Sequence, residues 1–365
     1  TRNIGLDFGF FNERLTGNID YYWNTVKDLL IEQSITAIGY KTMQQNIGQT
    51  SNRGVELTLN AAILQKKDYS LNFNFNIGFN KNKVDKLANG ISSMSYNSGA
   101  FSSDMRGRDD YRVIVGEPLG IVWGYVYDGV YGVDDFVTYT DENGKTQFQF
   151  DKSGNYILKE GVTDNTYTTA SSYGGLRPGA MKLKDQDGDH KITEKGDRVI
   201  IGRTQPKFTG GFGLSGNYKW FDISANFNFV VGNDVYNMDK MVSSQSYRNS
   251  YANLRAEMAP VTLGGKAWTY LDQSNGTIIT DYETLKAMNA NASYWSAATM
   301  SDNNPVPTSW AVEDGSFLRL QNLTVGFTLP KDWTKKFACN QFRLYCTLNN
   351  LFCLTGYDGY DPEVN

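Results

Sequence analysis

Residues 208–231 read FTGGFGLSGNYKWFDISANFNFVV. From Phe221 onward every second residue is apolar (Phe221, Ile223, Ala225, Phe227, Phe229, Val231), and Asp222, Ser224, Asn226 and Asn228 fill the positions between. A period of two makes a β-strand with one apolar and one polar face. Phe208, Phe212 and Leu214 alternate in the same way with Thr209, Gly211, Gly213 and Ser215, which predicts a hairpin bent at Tyr218, Lys219 and Trp220. The apolar run lasts the roughly 9–11 residues that carry a tilted strand across a bilayer, and an aromatic cluster marks its end. Both features point to the wall of a membrane barrel.

The pattern recurs on either side. Ile4, Leu6, Phe8 and Phe10 alternate with Gly5, Asp7 and Gly9, and after FNER the set Leu15, Ile19, Tyr21 and Trp23 predicts the returning strand. A polar stretch from Gln33 to Asn52 is expected as a connection. Val55, Leu57, Leu59, Ala61 and Ile63 then form a strand, QKKD turns it, and Leu71, Phe73, Phe75, Ile77 and Phe79 return against an opposite face of Asn72, Asn74, Asn76 and Asn80. Asparagine is a poor strand former, so a wet lumen is the natural place for such a ladder. Farther on, Leu323, Val325, Phe327 and Leu329 end at Pro330, PKDWTKKFACN turns the chain, and Phe342, Leu344, Cys346 and Leu348 return.

Residues 81–206 and 232–312 lose the alternation and are expected as large extracellular loop regions. About eight wall strands then result, with short turns at one end and long loops at the other. Outer-membrane barrels show that asymmetry, whereas structureless loops beyond roughly 12–15 residues are uncommon in compact soluble domains. The fold class expected is all-β, an antiparallel transmembrane barrel. Eight strands would enclose a lumen filled by side chains, and an open sheet edge is not tolerated in lipid, so the rest of a larger wall is expected elsewhere. A secreted all-β adhesin or glycan-binding module is the competing class.

Composition is compatible with the barrel. A mean hydropathy of -0.46 and 20% charged residues look soluble, but only alternate residues of a barrel strand need be apolar. The 23 Tyr and 20 Phe suit interface girdles. No run approaches the roughly 18 apolar residues of a membrane helix, and no h-region of a signal peptide is read. Net charge of -4 and a pI near 5.3 speak against nucleic acid as a partner. One His and three Cys leave little scope for His-based catalysis or zinc, and no enzyme activity is expected. Cys339, Cys346 and Cys353 are read as small hydrophobes.

NIGLDFGFFNERLTGNIDYYWNTVKDLL, NRGVELTLN, GEPLGIVWGYVYDGVY, DQDGDHKITEKGDRVIIGRTQPKFTGGF, VEDGSFLRLQNLTVGFTLP and NNLFCLTGYDGYDPEV follow one another along the chain. As an ordered set they resemble the carboxy-terminal barrel part of the SusC/RagA family of TonB-dependent outer-membrane transporters. The resemblance implies a barrel of about 22 strands and a location in the outer membrane of a Gram-negative, Bacteroidetes-type bacterium. It also implies an amino-terminal plug and TonB box, neither matched in this chain, which stops before the family's usual last strand. The implied partners are a SusD-like surface lipoprotein acting as a lid, the TonB complex and the lipid bilayer. The implied activity is import of an oligosaccharide, with peptide as the alternative cargo.

Residues 185–197, DQDGDHKITEKGD, carry the sharpest chemical signal. Asp185, Asp187 and Asp189 occupy positions 1, 3 and 5 of an EF-hand-like loop, the carbonyl of Lys191 would be position 7 and Thr193 position 9, with Ile192 as the hydrophobic plug. Hard oxygens at that spacing suit calcium in a structural role. His190 stands where glycine is usual, and the closing acid, Asp197, comes one position late; a metal-free acidic turn is the alternative. Trp123, Tyr125, Tyr127, Tyr131 and Trp268 are expected either to stack on sugar rings or to pack loops together. Arg106, Arg108 and Asp109 are read as a solvated loop.

Overall fold

The computed structural model describes residues 1–37, 40–87, 90–97, 109–169, 176–238, 240, 266–272, 274–296 and 306–363, and for 31–47 and 337 the backbone alone. The wall is a single antiparallel sheet of eight strands: β1 (Arg2–Phe10), β2 (Leu15–Ala37), β3 (Tyr40–Gln65), β4 (Tyr69–Lys86), β5 (Phe208–Tyr218), β6 (Phe221–Val231), β7 (Phe317–Thr328) and β8 (Arg343–Thr355). Each pairs only with its neighbours along the chain. This meander puts the connections 11–14, 66–68, 219–220 and 329–342 at one end, and the β2–β3 tip and both long inserts at the other.

Register shows why the alternation exists. Phe8, Gly17, Leu59, Phe75, Phe212, Phe227, Leu320 and Phe352 form one continuous row across all eight strands. One residue away on β1 to β6, and across a bulge on β7 and β8, Gly9, Thr16, Asn60, Asn74, Gly213, Asn226, Asn322 and Asn349 form the next row, on the opposite face. Neighbouring rungs of that polar face bond to each other, Asn322 Nδ2 to Asn349 Oδ1 at 2.8 Å and Thr324 Oγ1 with Thr347 Oγ1 at 3.0 Å. Most of the apolar face is open: Ile4, Leu6, Ile223, Val325 and Leu354 are 65, 64, 53, 45 and 60% exposed, whereas Leu320 beside the β7 bulge is covered at 6%. From Phe221 to Val231 the strand rises about 34 Å, or about 24–28 Å at a barrel tilt of 35–45°, the height of a lipid-facing band. No helix among the described residues is long and apolar enough to cross a membrane; the crossing is made by strands.

Tyr69, Tyr218, Phe221 and Phe327 share the last row above the short turns, with the Phe221 and Phe327 ring centres 4.7 Å apart. At the other edge of the band Tyr21 lies 5.5 Å from Trp23 and Phe79 lies 5.6 Å from Phe208. Two aromatic girdles thus bracket the apolar rows, as the interfaces of a bilayer require.

One expectation is corrected. Residues 33–52 are not a loose connection: β2 and β3 stay paired through Gln33↔Met43 and Ser34↔Thr42 to Ala37↔Tyr40. No apolar period marks a strand over these residues, so the backbone pairing continues without a sequence signal. Residues 81–86 likewise continue β4.

The two long inserts fold into one cap. Strands Val199–Arg203, Ile121–Gly124, Tyr111–Ile114 and Ser93–Tyr96 make a four-stranded sheet, seated on the top of β4 by Val84 N to Glu117 O at 2.9 Å and Gly116 N to Val84 O at 2.8 Å. Strands from the two inserts also pair with each other's flanks, Tyr125 N donating to Pro307 O at 2.8 Å. One core gathers Val122, Tyr125, Met181, Ile192, Tyr236 and Trp295; a second gathers Tyr131, Phe136, Phe148, Trp268, Tyr282 and Leu285.

Candidate functional site

The acidic loop coils through a series of side-chain-to-backbone bonds. Asp185 Oδ1 accepts from Gly188 N at 2.7 Å and Asp187 N at 3.2 Å, and its Oδ2 accepts from His190 N at 2.8 Å. Asp187 and Asp189 repeat the turn, accepting from Asp189 N at 3.3 Å and Lys191 N at 2.8 Å. Aspartate favours such turns because its short carboxylate reaches the amide two residues on. Three carboxylates converge as a result, with one oxygen from each of Asp185, Asp187 and Asp189 within 4.8 Å of the others. Gly188 has φ 81° and His190 φ 61°, so His190 adopts the left-handed turn that the sixth position of an EF-hand loop needs, at a cost of about 1 kcal/mol for a side chain there.

Two anchors hold the coil. Ile192, 1% exposed in the first cap core, donates its N–H to Asp164 O at 2.8 Å, while Asp164 N donates to His190 O at 2.8 Å. Asp197 is fully buried, and it accepts from Gln186 N at 2.9 Å and Thr193 N at 2.7 Å. Asp197 therefore ties the two ends of the loop together and stands outside the three-carboxylate group, a correction to its expected place as the closing acid. Thr193 caps the short helix Glu194–Asp197 by accepting from Gly196 N at 3.0 Å, and Lys191 lies in the bridge to Asp164.

Crowded negative charge sets the electrostatics. For Asp187 the Asp189 amide pulls the carboxyl down, but burial and the charges of Asp189, Asp197 and Asp185 prevail and raise it above the ordinary aspartate value. For Asp185 burial works upward, and the amides of Gly188, His190 and Asp187 outweigh it and hold the carboxyl low. Hard oxygens converging on one point with unrelieved mutual repulsion are what a calcium-sized cation neutralises. Asp185, Asp187 and Asp189 fit that ion as donors, and the Lys191 carbonyl, Thr193 and water are the groups at hand to fill six to eight positions.

The expected aromatic platform is not assembled as one open face. Tyr125 is 4% exposed in the first cap core, whereas Tyr131 at 0% and Trp268 at 7% belong to the second. Gly179, at φ 83°, lies so close under the Trp268 indole that a Cβ would meet its Cδ1 at 2.3 Å. Trp123 is half-buried beneath the Arg112 guanidinium, 4.4 Å from the ring centre, and Tyr127 meets Trp295 edge-on at 5.5 Å. Loop packing wins because each ring buries more apolar area in a core than a wet groove would spare. The open rings of the cap are Tyr167, Tyr139 and Phe150, which the sequence does not distinguish from their buried counterparts. Arg106 and Arg108 lie outside the described residues; the Asp109 carbonyl accepts from Arg198.

A polar clasp on the lumen face is also illegible in the sequence. Arg319 of β7 is 7% exposed and pairs with Asp361 at 2.6 Å and Glu363 at 3.0 Å, while Asn228 Nδ2 of β6 donates to Glu363 Oε1 at 3.1 Å. Residues 361–363 thereby fold back onto the lumen side of the wall.

Residues 1–174 match the family model described as TonB dependent receptor-like, beta-barrel. TonB-dependent receptor P39 of Formosa agariphila is 28% identical over all of this chain and 32% of its own length. SusC of Bacteroides thetaiotaomicron is likewise 28% identical over all of this chain and 29% of its own. Over its whole length the chain is similar to the barrel part of TonB-dependent receptors. That likeness gives the wall its location, the outer membrane. The RagAB peptide transporter structure shares its fold, at TM-score 0.64 and 22% identity over 99% of this chain and 32% of that one. The chain spans about a third of the length of the curated relatives it matches.

Proposed function

We propose that this wall and cap serve a TonB-dependent importer that takes up an oligosaccharide too large for passive pores, working with a SusD-like lipoprotein lid. The observation carrying this reading is the division of the eight strands into an exposed apolar face and an asparagine-lined face, beneath a cap that both inserts build together. A row such as Asn60, Asn74, Asn226, Asn322 and Asn349 offers donors and acceptors to sugar hydroxyls and carries no charge to trap them. Cargo is caught between cap and lid, and force delivered to the plug by the TonB complex opens a path along that polar face. No bond is made or broken.

Peptide is the alternative cargo, favoured by the fold shared with the RagAB peptide transporter. Calcium in the loop of Asp185, Asp187 and Asp189 belongs to the same reading as a structural ion, stiffening the segment that leads through Asp197 and Arg198 into the strand Val199–Arg203. Purification of the intact complex from native membranes, with mass spectrometry of what it carries, tests the proposal. Bound oligosaccharide and a lipoprotein partner are expected. Bound peptides would overturn the cargo, and a complex without a lipoprotein or any protected cargo would overturn the import mechanism.

A further inference from the structure

Above the lipid-facing band the wall carries a row of cations that have no ion-pair partner among the described residues. Register places Arg2 beside Trp23, Trp23 beside Arg53 and Arg53 beside Lys81, one level on β1 to β4. Two residues toward the periplasm on the same strands lies the row Ile4, Tyr21, Val55 and Phe79, all exposed on the apolar face. Side chains two apart on a strand share a face and stand about 6.8 Å apart. The cations therefore face outward with the apolar band and sit one step beyond it, at the extracellular edge. Lys83 continues the column on β4, beside Ser51 and Thr25.

Several features make this level a site. Trp23 packs on Tyr21 at 5.5 Å and lies under the Arg2 guanidinium at 5.9 Å, so the ring belongs to the girdle and touches the cations as well. A cleft of about 250 Å³ opens among Trp23, Ser51, Arg53, Lys81 and Lys83. Asp85 is the carboxylate of that lining, and it accepts from Ser51 Oγ at 3.0 Å and Gln49 Nε2 at 3.3 Å. Among the described residues, no carboxylate lies within ion-pair distance of Arg2, Arg53, Lys81 or Lys83, although Arg203, Lys240, Arg319 and Arg343 all have one. Cations gathered at this edge of the band, with no carboxylate of the described residues holding them, are free to receive an anion from outside the chain.

We infer that this row binds the phosphate headgroup of an anionic lipid in the outer leaflet. The acyl chains lie on Ile4, Tyr21, Val55 and Phe79, Trp23 sits at headgroup depth, and Arg53, Lys81 and Lys83 converge on the phosphate, Arg53 with the two parallel donors of its guanidinium. A free phosphate ion offers the same oxygens but nothing for the apolar row, so continuity of the cations with the lipid-facing band selects the lipid.

The test uses the full-length transporter with its partners, purified in a mild nonionic detergent, stripped of lipid and examined by native mass spectrometry. The probes are phosphorylated lipid A, the same lipid A after enzymatic dephosphorylation, and inorganic phosphate. The variants are Arg53→Gln/Lys81→Gln/Lys83→Gln and, as a control for charge loss at the periplasmic end, Lys66→Gln/Lys67→Gln. Phosphorylated lipid A is expected to be retained by the parent protein and the control, and on the order of 10- to 100-fold less by the triple variant. Equal retention by the triple variant, equal retention of the dephosphorylated lipid, or binding of inorganic phosphate without lipid binding would each overturn the inference. Should the triple variant not insert, the salt dependence of the parent decides: retention of phosphorylated lipid A that falls with added salt supports the site, and salt-independent retention overturns it.

Discussion

Arg319, on the lumen face of β7, reaches 42 residues along the chain to hold the Asp361 carboxylate at 2.6 Å. The arginine side is nearly buried, at 8% side-chain exposure, while Asp361 and Glu363 keep 31 and 46%, so the clasp is only partly withdrawn from water. Glu363 and Asn228 extend it across two strands.

Arg319→Ala is expected to release residues 361–363 from the wall and lower the thermal midpoint of the barrel, a loss on the order of 1–2 kcal/mol for a charged hydrogen bond whose carboxylate side stays partly in water. Asp361 is held below the ordinary carboxylate value chiefly by the Arg319 bond, so its contribution is present above the unfolded aspartate value and is lost as pH falls through the lowered one. Hydrogen exchange of 357–363 measured at neutral and acidic pH checks both statements. Protection that rises on acidification would contradict the sign.

In the acidic loop the two shifted carboxyls act in opposite senses. Without metal, the raised Asp187 carboxyl makes the loop lose stability as pH rises from the ordinary aspartate value through the elevated one, whereas the lowered Asp185 carboxyl contributes stability that disappears only on strong acidification. Calcium reverses the first effect because it binds the deprotonated form. Proteolysis at residues 185–197 should slow with calcium at neutral pH and return to the metal-free rate with a chelator. Asp187→Asn should abolish the calcium response and leave the metal-free loop as resistant as the parent or more so.

Adjacent residues of β6 separate the two environments of the wall. Phe227 stacks on Phe212 at 4.6 Å in a lipid-facing row near mid-height, and Asn226 faces the lumen. Phe227→Arg is expected to destabilise the folded barrel by about 2–4 kcal/mol, while Asn226→Arg stays within about 0.5 kcal/mol because its charge remains in water. Urea titration of the barrel refolded into liposomes reads the difference; equal losses for the pair would remove the lipid-and-lumen assignment.

Trp295 tests whether cap and wall are separable. It is 1% exposed, stacked on Tyr294 at 4.4 Å and met edge-on by Trp310 at 4.5 Å, entirely within the cap. Trp295→Ala should cost about 3–5 kcal/mol of cap stability. Faster hydrogen exchange is expected over 266–296, with unchanged heat-modified migration of the barrel on a gel.

The sequence by itself determined which segments are wall. Alternation such as Phe221, Ile223, Ala225, Phe227, Phe229 and Val231 follows from a strand with lipid on one face and water on the other, and the ordered strings pointed to the TonB-dependent receptor barrels that the family model matches over residues 1–174. It also located the three converging carboxylates, because Asp-x-Asp-x-Asp spacing is a local property of one turn of chain. Only the tertiary structure decided the rest. Residues 33–52 carry no apolar period, and they are strand because the backbones of β2 and β3 pair there. Tyr125, Tyr131 and Trp268 look alike in sequence to the open rings of Tyr139 and Tyr167, and what buries them is the meeting of two inserts far apart along the chain. Arg2, Arg53 and Lys81 become one cationic level, and Arg319 and Asp361 one clasp, through strand register, which sums contacts over long separations that no local pattern records.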